Sequence, residues 1–346
     1  MNAPLADGSS YAITPADFVR DQDAVVDVWR SSLHDDQARA LKLDWFYRHA
    51  PHAALLQVLV HQPSQAIVGT AGVGWRHMRL DGRALRGGLL ADMAVMTGHR
   101  MLGPALLLQR TACEVALQVG DLVYGFPNPN AVPVVKRLGY VHVGDMTTYV
   151  RAVRHTSYLA RRLPTALAGL LGTGIDRLVR LRDRLHRLTG RRLHAAWRTT
   201  PHETVHAQAW SSPGTLEGVH DRDALQWRFA RCPLASFRFL YVRRDGDTQP
   251  CAWFVCRQDG DTLRVADFKT DPAGDASRSL AVLADSAFRL GCRSISLEGC
   301  LPEGEKALLR RHGFFVRQAR PVYARWKQPD AAPRAAFRLT PFDEDE

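Results

Sequence analysis

The chain predicts a mixed α/β fold built twice over, each half a central sheet with flanking helices, the halves joined by a basic helical segment. An internal repeat is the first observation behind this. Leu43-Asp44-Trp45-Phe46-Tyr47-Arg48-His49-Ala50-Pro51 recurs as Leu225-Gln226-Trp227-Arg228-Phe229-Ala230-Arg231-Cys232-Pro233, an offset of 182 residues. Leu90-Ala91-Asp92-Met93 returns as Val265-Ala266-Asp267-Phe268 at 175, and Leu138-Gly139-Tyr140-Val141 as His312-Gly313-Phe314-Phe315 at 174. Three anchors in one order at near-constant offset mark a duplication. The second observation is length, since 346 residues is about twice a usual domain. The third is the order of elements, in which apolar strand-like runs alternate with helical spacing in both halves.

In the first half, residues 23–33 carry helical apolar spacing, and 55–60 and 66–73 are strand-like runs separated by turn residues. A buried-type strand follows at 89–95, then an apolar helix at 104–119, a short strand at 122–126, and a short helix at 131–138 that Gly139 closes. The second half repeats the hairpin at 237–242 and 250–256. The reading divides the chain into units at 1–150 and 203–327, an Arg-rich connector at 151–202, and an acidic tail at 328–346 expected to be disordered.

Composition narrows the class. A 46% hydrophobic and 23% charged chain is that of an ordinary soluble protein. No run of 18 apolar residues or secretory leader is present, so the expected compartment is the cytoplasm. The six cysteines form no CxxC pair and have no histidine at ligand spacing, so reduced thiols and no metal are expected. The net charge of +11 is concentrated between residues 151 and 200, where twelve arginines face only Asp176 and Asp183. The rest of the chain is almost neutral, so charge does not identify a substrate.

The chemistry is most legible after the 89–95 strand. Arg100-Met101-Leu102-Gly103-Pro104-Ala105 runs from a tight loop into a helix, which points unpaired N–H groups and the positive end of the helix dipole at any anion. Gly103 lets a ligand approach the backbone, and Pro104 suits the first helical turn. This segment resembles the Arg/Gln-x-x-Gly-x-Gly/Ala signature of the GNAT N-acetyltransferase superfamily. Asn128-Pro129-Asn130-Ala131 followed by Leu138-Gly139-Tyr140 resembles the family's later elements. The resemblance covers residues 10–150 strongly and 203–326 weakly.

It implies acetyl-CoA as co-substrate, with the pyrophosphate at Arg100, Met101, Leu102, Gly103, Pro104 and Ala105, the pantetheine arm along Met93, Ala94 and Val95, and Asn128 nearby. The implied activity is acyl transfer to a primary amine of a small molecule or peptide by direct attack on the thioester. An ammonium must first lose its proton, and Asp92 is the first candidate for that base. Val135 stands where many members carry a tyrosine that protonates the leaving thiolate, so the proton comes from Tyr124 on the neighbouring strand, the candidate acid, or from solvent. The valine also favours a rival reading, a non-catalytic acyl-CoA-binding scaffold. A second rival, the Fem-type aminoacyl transferases, shares the tandem arrangement but needs no CoA loop. In the second copy Asp275 aligns with Arg100 and Arg278 with the glycine, which puts an acid where phosphate would lie.

The connector carries Ile175, Leu178, Leu181, Leu185 and Leu188 at helical spacing with arginines opposite, and Asp176/Arg180 and Asp183/Arg187 four apart. The favoured expectation is a helix that buries Leu178 and Leu185 between the halves. The alternative is contact with an anionic membrane through 175–191. Sparse aromatics argue against nucleic acid. The sequence leaves the oligomeric state open.

Overall fold

The computed structural model describes residues 10–32, 38–188, 190–203, 212–271 and 275–345. The first half runs β1 (Tyr11–Pro15), α1 (Gln22–Ser32), α2 (Ala38–Lys42), β2 (Leu55–His61), β3 (Ala66–Leu80), β4 (Arg83–Val95), α3 (Leu102–Val119), β5 (Leu122–Gly125), α4 (Val132–Arg137) and β6 (Val141–Ala152). Then come α5 (Thr156–Leu159), α6 (Thr165–Leu188), β7 (Leu193–Arg198), β8 (Thr215–Gly218) and α7 (Arg222–Leu225). The chain continues through β9 (Arg238–Arg244), β10 (Ala252–Asp259), β11 (Thr262–Thr270), α8 (Ala276–Arg289), β12 (Ser294–Gly299), α9 (Glu303–Arg311), β13 (Phe315–Trp326) and β14 (Ala336–Arg338).

The strands among the described residues join into one mixed sheet, in the order β1-β2-β3-β4-β5-β13-β6-β12-β11-β10-β9-β7, with β8 on β3 and β14 on β8. This path is a palindrome of the two copies. Each half's last strand is exchanged, β13 lying between β5 and β6 and β6 between β13 and β12. The edge strand β7 mirrors β1, so a strand of the second copy lies in what the sequence reading assigned to the connector.

The repeated Trp motif marks the pseudo-twofold axis. Leu43–Arg48 and Gln226–Ala230 both form a short π-helix, and Trp45 and Trp227 stack with ring centroids 5.0 Å apart. Each indole Nε1 donates to the other's carbonyl, at 3.2 and 3.3 Å, so neither burial leaves a donor unmet. One apolar core spans this contact, and separate cores lie around α3 and α8.

Two expectations are corrected here. The acidic tail is ordered: β14 pairs with β8, Pro341–Asp343 forms a 3₁₀ turn, and Asp343 is buried. Its charges are met by cations from both halves. Asp345 contacts Lys42 at 2.8 Å, Glu344 takes a bond from Arg320, and the backbone carbonyls of Phe342 and Glu344 accept from Arg76. Self-repulsion, the reason to expect disorder, is thereby removed. Glu346 lies outside the described residues.

The connector helix exists as α6 but faces the other way. Leu178 is 68% and Leu185 57% exposed. The charged face is the one that docks, through Arg151–Asp183, His155–Asp176 and Arg187–Asp285, with Arg180 over the Phe288 ring. Asp176 and Asp183 therefore pair with distant partners and not with the arginines one turn on. Ion pairs of this kind cannot be read from helical periodicity.

Candidate donor and acceptor sites

β4 and β5 run parallel only from Gly87↔Leu122 to Leu89↔Tyr124; β5 ends at Gly125, while β4 continues to Val95. Beyond Leu89, β4 is bonded to β3 on one edge. Its other edge has no strand partner among the described residues, which leaves a row of amides open to an extended ligand. A bulge sits in this stretch, where Thr70 pairs with Ala94 but Gly72 with Ala91, so Asp92 and Met93 together oppose Ala71. Asp92 takes φ +49° there, an uncommon conformation for a residue with a side chain.

From Val95 the chain turns through a 3₁₀ turn at Thr97–His99 into α3, an 18-residue helix. The N–H groups of Leu102 and Gly103 open that helix without intrahelical acceptors. A Cβ added at Gly98 or Gly103 would meet no protein atom within 4 Å, so the space in front of this helix end is open. Met101 and Leu102 are half or more exposed, whereas Pro104 turns inward. Arg100 braces the loop: its Nε donates to the Val95 carbonyl at 2.9 Å and a terminal nitrogen to the Ser31 carbonyl. Asn128 accepts from the Ala131 N–H at 3.0 Å and shapes the entry to α4. These residues fit the CoA group the sequence reading assigned to them: an open edge for the pantetheine amides and a dipole-bearing helix end for phosphate.

One residue upstream of Met93, Asp92 is sunk in a network that sequence reading did not foresee. Lys42 Nζ bridges Asp92 Oδ1 and Asp345 Oδ2 at 2.8 Å each, and the Tyr47 hydroxyl donates to Asp92 Oδ2 at 2.6 Å. Burial alone would depress the Lys42 ammonium, but the two carboxylates outweigh it and hold it above its usual range. Burial pushes the Asp92 carboxyl up against the pull of Lys42. Lys42 and Tyr47 lie in or beside the repeated Trp motif, which was a signal of placement only. Asp345 gave none.

Asp92 and Lys42 line a cavity of about 470 Å³ between the two halves. α1 and α2 supply one wall, and β10, β11, β12 and the C-terminal segment supply others. Six cations, Arg39, Lys42, Arg228, Arg257, Arg264 and Arg320, face three carboxylates, Asp92, Glu298 and Glu344. Arg257 and Arg264 are register partners on β10 and β11, like charges set directly opposite, although Arg264 also reaches Asp259 at 2.7 Å. Glu344, held by Arg320, has its carboxyl pushed up to about 7 by burial.

Tyr124 is not on this cavity. It is fully buried, its hydroxyl donates to the Asp343 carbonyl at 2.9 Å, and burial drives its pKa well up, so it is a packed structural residue in place of the expected acid. Val135 packs in the core with α3. In the second copy Asp267 also sits at a bulge, but there His220 contacts it at 2.8 Å and Thr340 donates to it, and Asp267 itself does not line the cavity although Val265 and Ala266 do. Asp275, at the start of α8, is already held by Arg244 and Arg278. Residues 273 and 274 of that loop lie outside the described residues.

No protein-family model and no curated protein sequence matches the chain. Solved structures do. A GCN5-related N-acetyltransferase from Anabaena variabilis ATCC 29413 aligns with TM-score 0.64 at 10% identity, over 92% of this chain and 73% of that one. A probable N-acyltransferase from Enterococcus faecalis V583 aligns at 0.61 and 8% identity, again over 92% and 73%. A tandem GNAT protein from the clavulanic acid biosynthesis pathway aligns at 0.54 and 11%, over 92% of this chain and 99% of its own. The chain has the GNAT fold in tandem. At these identities the likeness speaks for the fold, and the chemistry rests on the residues. Within the GNAT frame, the open β4 edge and the α3 terminus belong to the first copy and the cavity to both.

Proposed function

We propose that the chain is an acyl-CoA-dependent N-acyltransferase with acetyl-CoA as donor, and that its acceptor is an amine bearing an anionic group. The observation that carries this reading is one of adjacency: Asp92 lines the cavity and lies within the stretch of β4 beyond Leu89 whose edge is open. An amine in the cavity meets an acyl group on the strand, attacks its thioester carbonyl, and expels the CoA thiolate. The surplus of cations on the wall, with Arg257 opposite Arg264, favours carboxylate or phosphate on the acceptor.

The base in this reading is Glu344. Both oxygens of Asp92 are engaged, so accepting a proton there would sacrifice the Lys42 pair. Glu344 faces the cavity with a pKa near neutrality, where a base is both available and strong enough. Asp92 and Lys42 hold the tail that presents it. The leaving thiolate takes its proton from solvent, since Tyr124 is sealed and position 135 is valine.

That missing acid favours a second reading, a scaffold that binds acyl-CoA without turnover. A thiol-release assay with acetyl-CoA and a panel of anionic, neutral and cationic amines separates the two. Turnover greatest with anionic amines is expected. Silence across the panel despite measured CoA binding would establish the scaffold, and a preference for neutral or cationic amines would overturn the acceptor class.

A further inference from the structure

We propose that α6 is a peripheral docking element that lies in the plane of an anionic membrane surface. Leu167, Leu170, Leu171, Leu178, Leu181 and Leu185 recur three, four or seven residues apart and share one face of the helix. All six are at least half exposed, from Leu167 at 51% to Leu170 at 75%. A surface helix ordinarily buries such a stripe. This one is turned away from the protein because the opposite face is fixed by ion pairs, with Asp183 and Asp176 held by Arg151 and His155 and Ala168 and Gly172 packed inward.

The same arrangement sets the charge of the outer face. The only acids between residues 151 and 200 are those two aspartates, and both are consumed inward. Arg177, Arg182 and Arg184 remain exposed on the flanks of the stripe, with Arg161 and Arg162 exposed just before the helix. An apolar ridge between cationic flanks matches acyl chains beneath anionic headgroups. A second copy of the chain is a poorer occupant, because it would set these arginines against their own kind. No helix among the described residues is long and apolar enough to cross a membrane, so α6 lies on the surface.

The test is co-sedimentation of the full chain with vesicles of phosphatidylcholine alone or with roughly a third phosphatidylserine, at low and high salt. Binding to the anionic vesicles only, weakened at high salt, is expected. Leu178→Asp with Leu181→Asp, and separately Arg177→Glu with Arg184→Glu, are each expected to weaken it at least tenfold with Tm unchanged. Equal partition to neutral vesicles, no binding, or full binding by the leucine variant would overturn the proposal. A dimer in sedimentation velocity that the leucine variant dissociates would assign the face to a second copy instead. None of these readouts depends on acyl transfer.

Discussion

At the residue scale, Asp92 and Glu344 are two carboxylates that look alike in the sequence and differ in surroundings. Burial raises the Glu344 carboxyl from its ordinary 4.5 to about 7, so its base form grows as pH rises through neutrality. The kcat/KM of the wild type is expected to climb through about pH 7 and then level, and Glu344→Gln to lose that limb along with most activity. An unaltered limb in active Glu344→Gln enzyme would return the role to another group. Stability runs in the opposite sense. The folded state keeps a proton that the unfolded chain has shed, so the contribution of Glu344 is full below about pH 4.5 and is lost as pH rises through about 7. Asp92→Asn keeps a side chain that tolerates φ +49° but weakens the buried pair with Lys42. It is expected to cost about 3 kcal/mol in urea unfolding, the scale of a broken buried ion pair, while leaving the pH limb in place. The sequence exposed Asp92 through its place on the strand before the Arg100–Ala105 loop, while its repeat partner Asp267 already spoke for a structural role. Glu344 was illegible because only folding places it against Arg320, at the end of a run of acids that by itself reads as solvated.

At the element scale, what the sequence made legible is the part set by local pattern. The β4 strand, the loop and α3 follow from apolar runs and from Gly103-Pro104, and the repeated Trp motif located both π-helices. A further local signal lay in Asp81-Gly82, whose φ values of +48° and +81° make the two-residue turn between β3 and β4 that lengthens the hairpin. Elements fixed by long-range charge were not legible: α6 was oriented wrongly because its docking partners lie on other elements, and the C-terminal segment because its cations do. Removal of residues 340–346 tests the latter. Arg76 and Arg228 would lose the carbonyls of Pro341, Phe342 and Glu344. Buried guanidinium groups that lose acceptors are costly. The truncated protein is expected to lose several degrees of Tm or more, and all acyl transfer. Near-native stability of the truncated chain would contradict the packing described.

At the scale of the whole molecule, exchange of β6 and β13 makes the two copies one folding unit, because neither sheet is complete without the other's last strand. Urea unfolding followed by tryptophan fluorescence and by far-UV circular dichroism is expected to give one coincident transition, and two separated transitions would argue against such coupling. The duplication has nevertheless diverged in chemistry. Among the described residues the first copy has Gly103 at an open helix end, while in the second Asp275 and two arginines occupy the corresponding place. Calorimetric titration with acetyl-CoA tests this asymmetry most directly. One site per chain is expected, lost in Gly103→Glu, where a Cβ has open space so that folding is spared but charge and bulk face the phosphates. The site is expected to be retained in Ala276→Glu, the second-copy control, chosen because the neighbouring Ser277 is already bonded to His312. Two sites per chain, or unchanged binding by folded Gly103→Glu, would contradict the asymmetry.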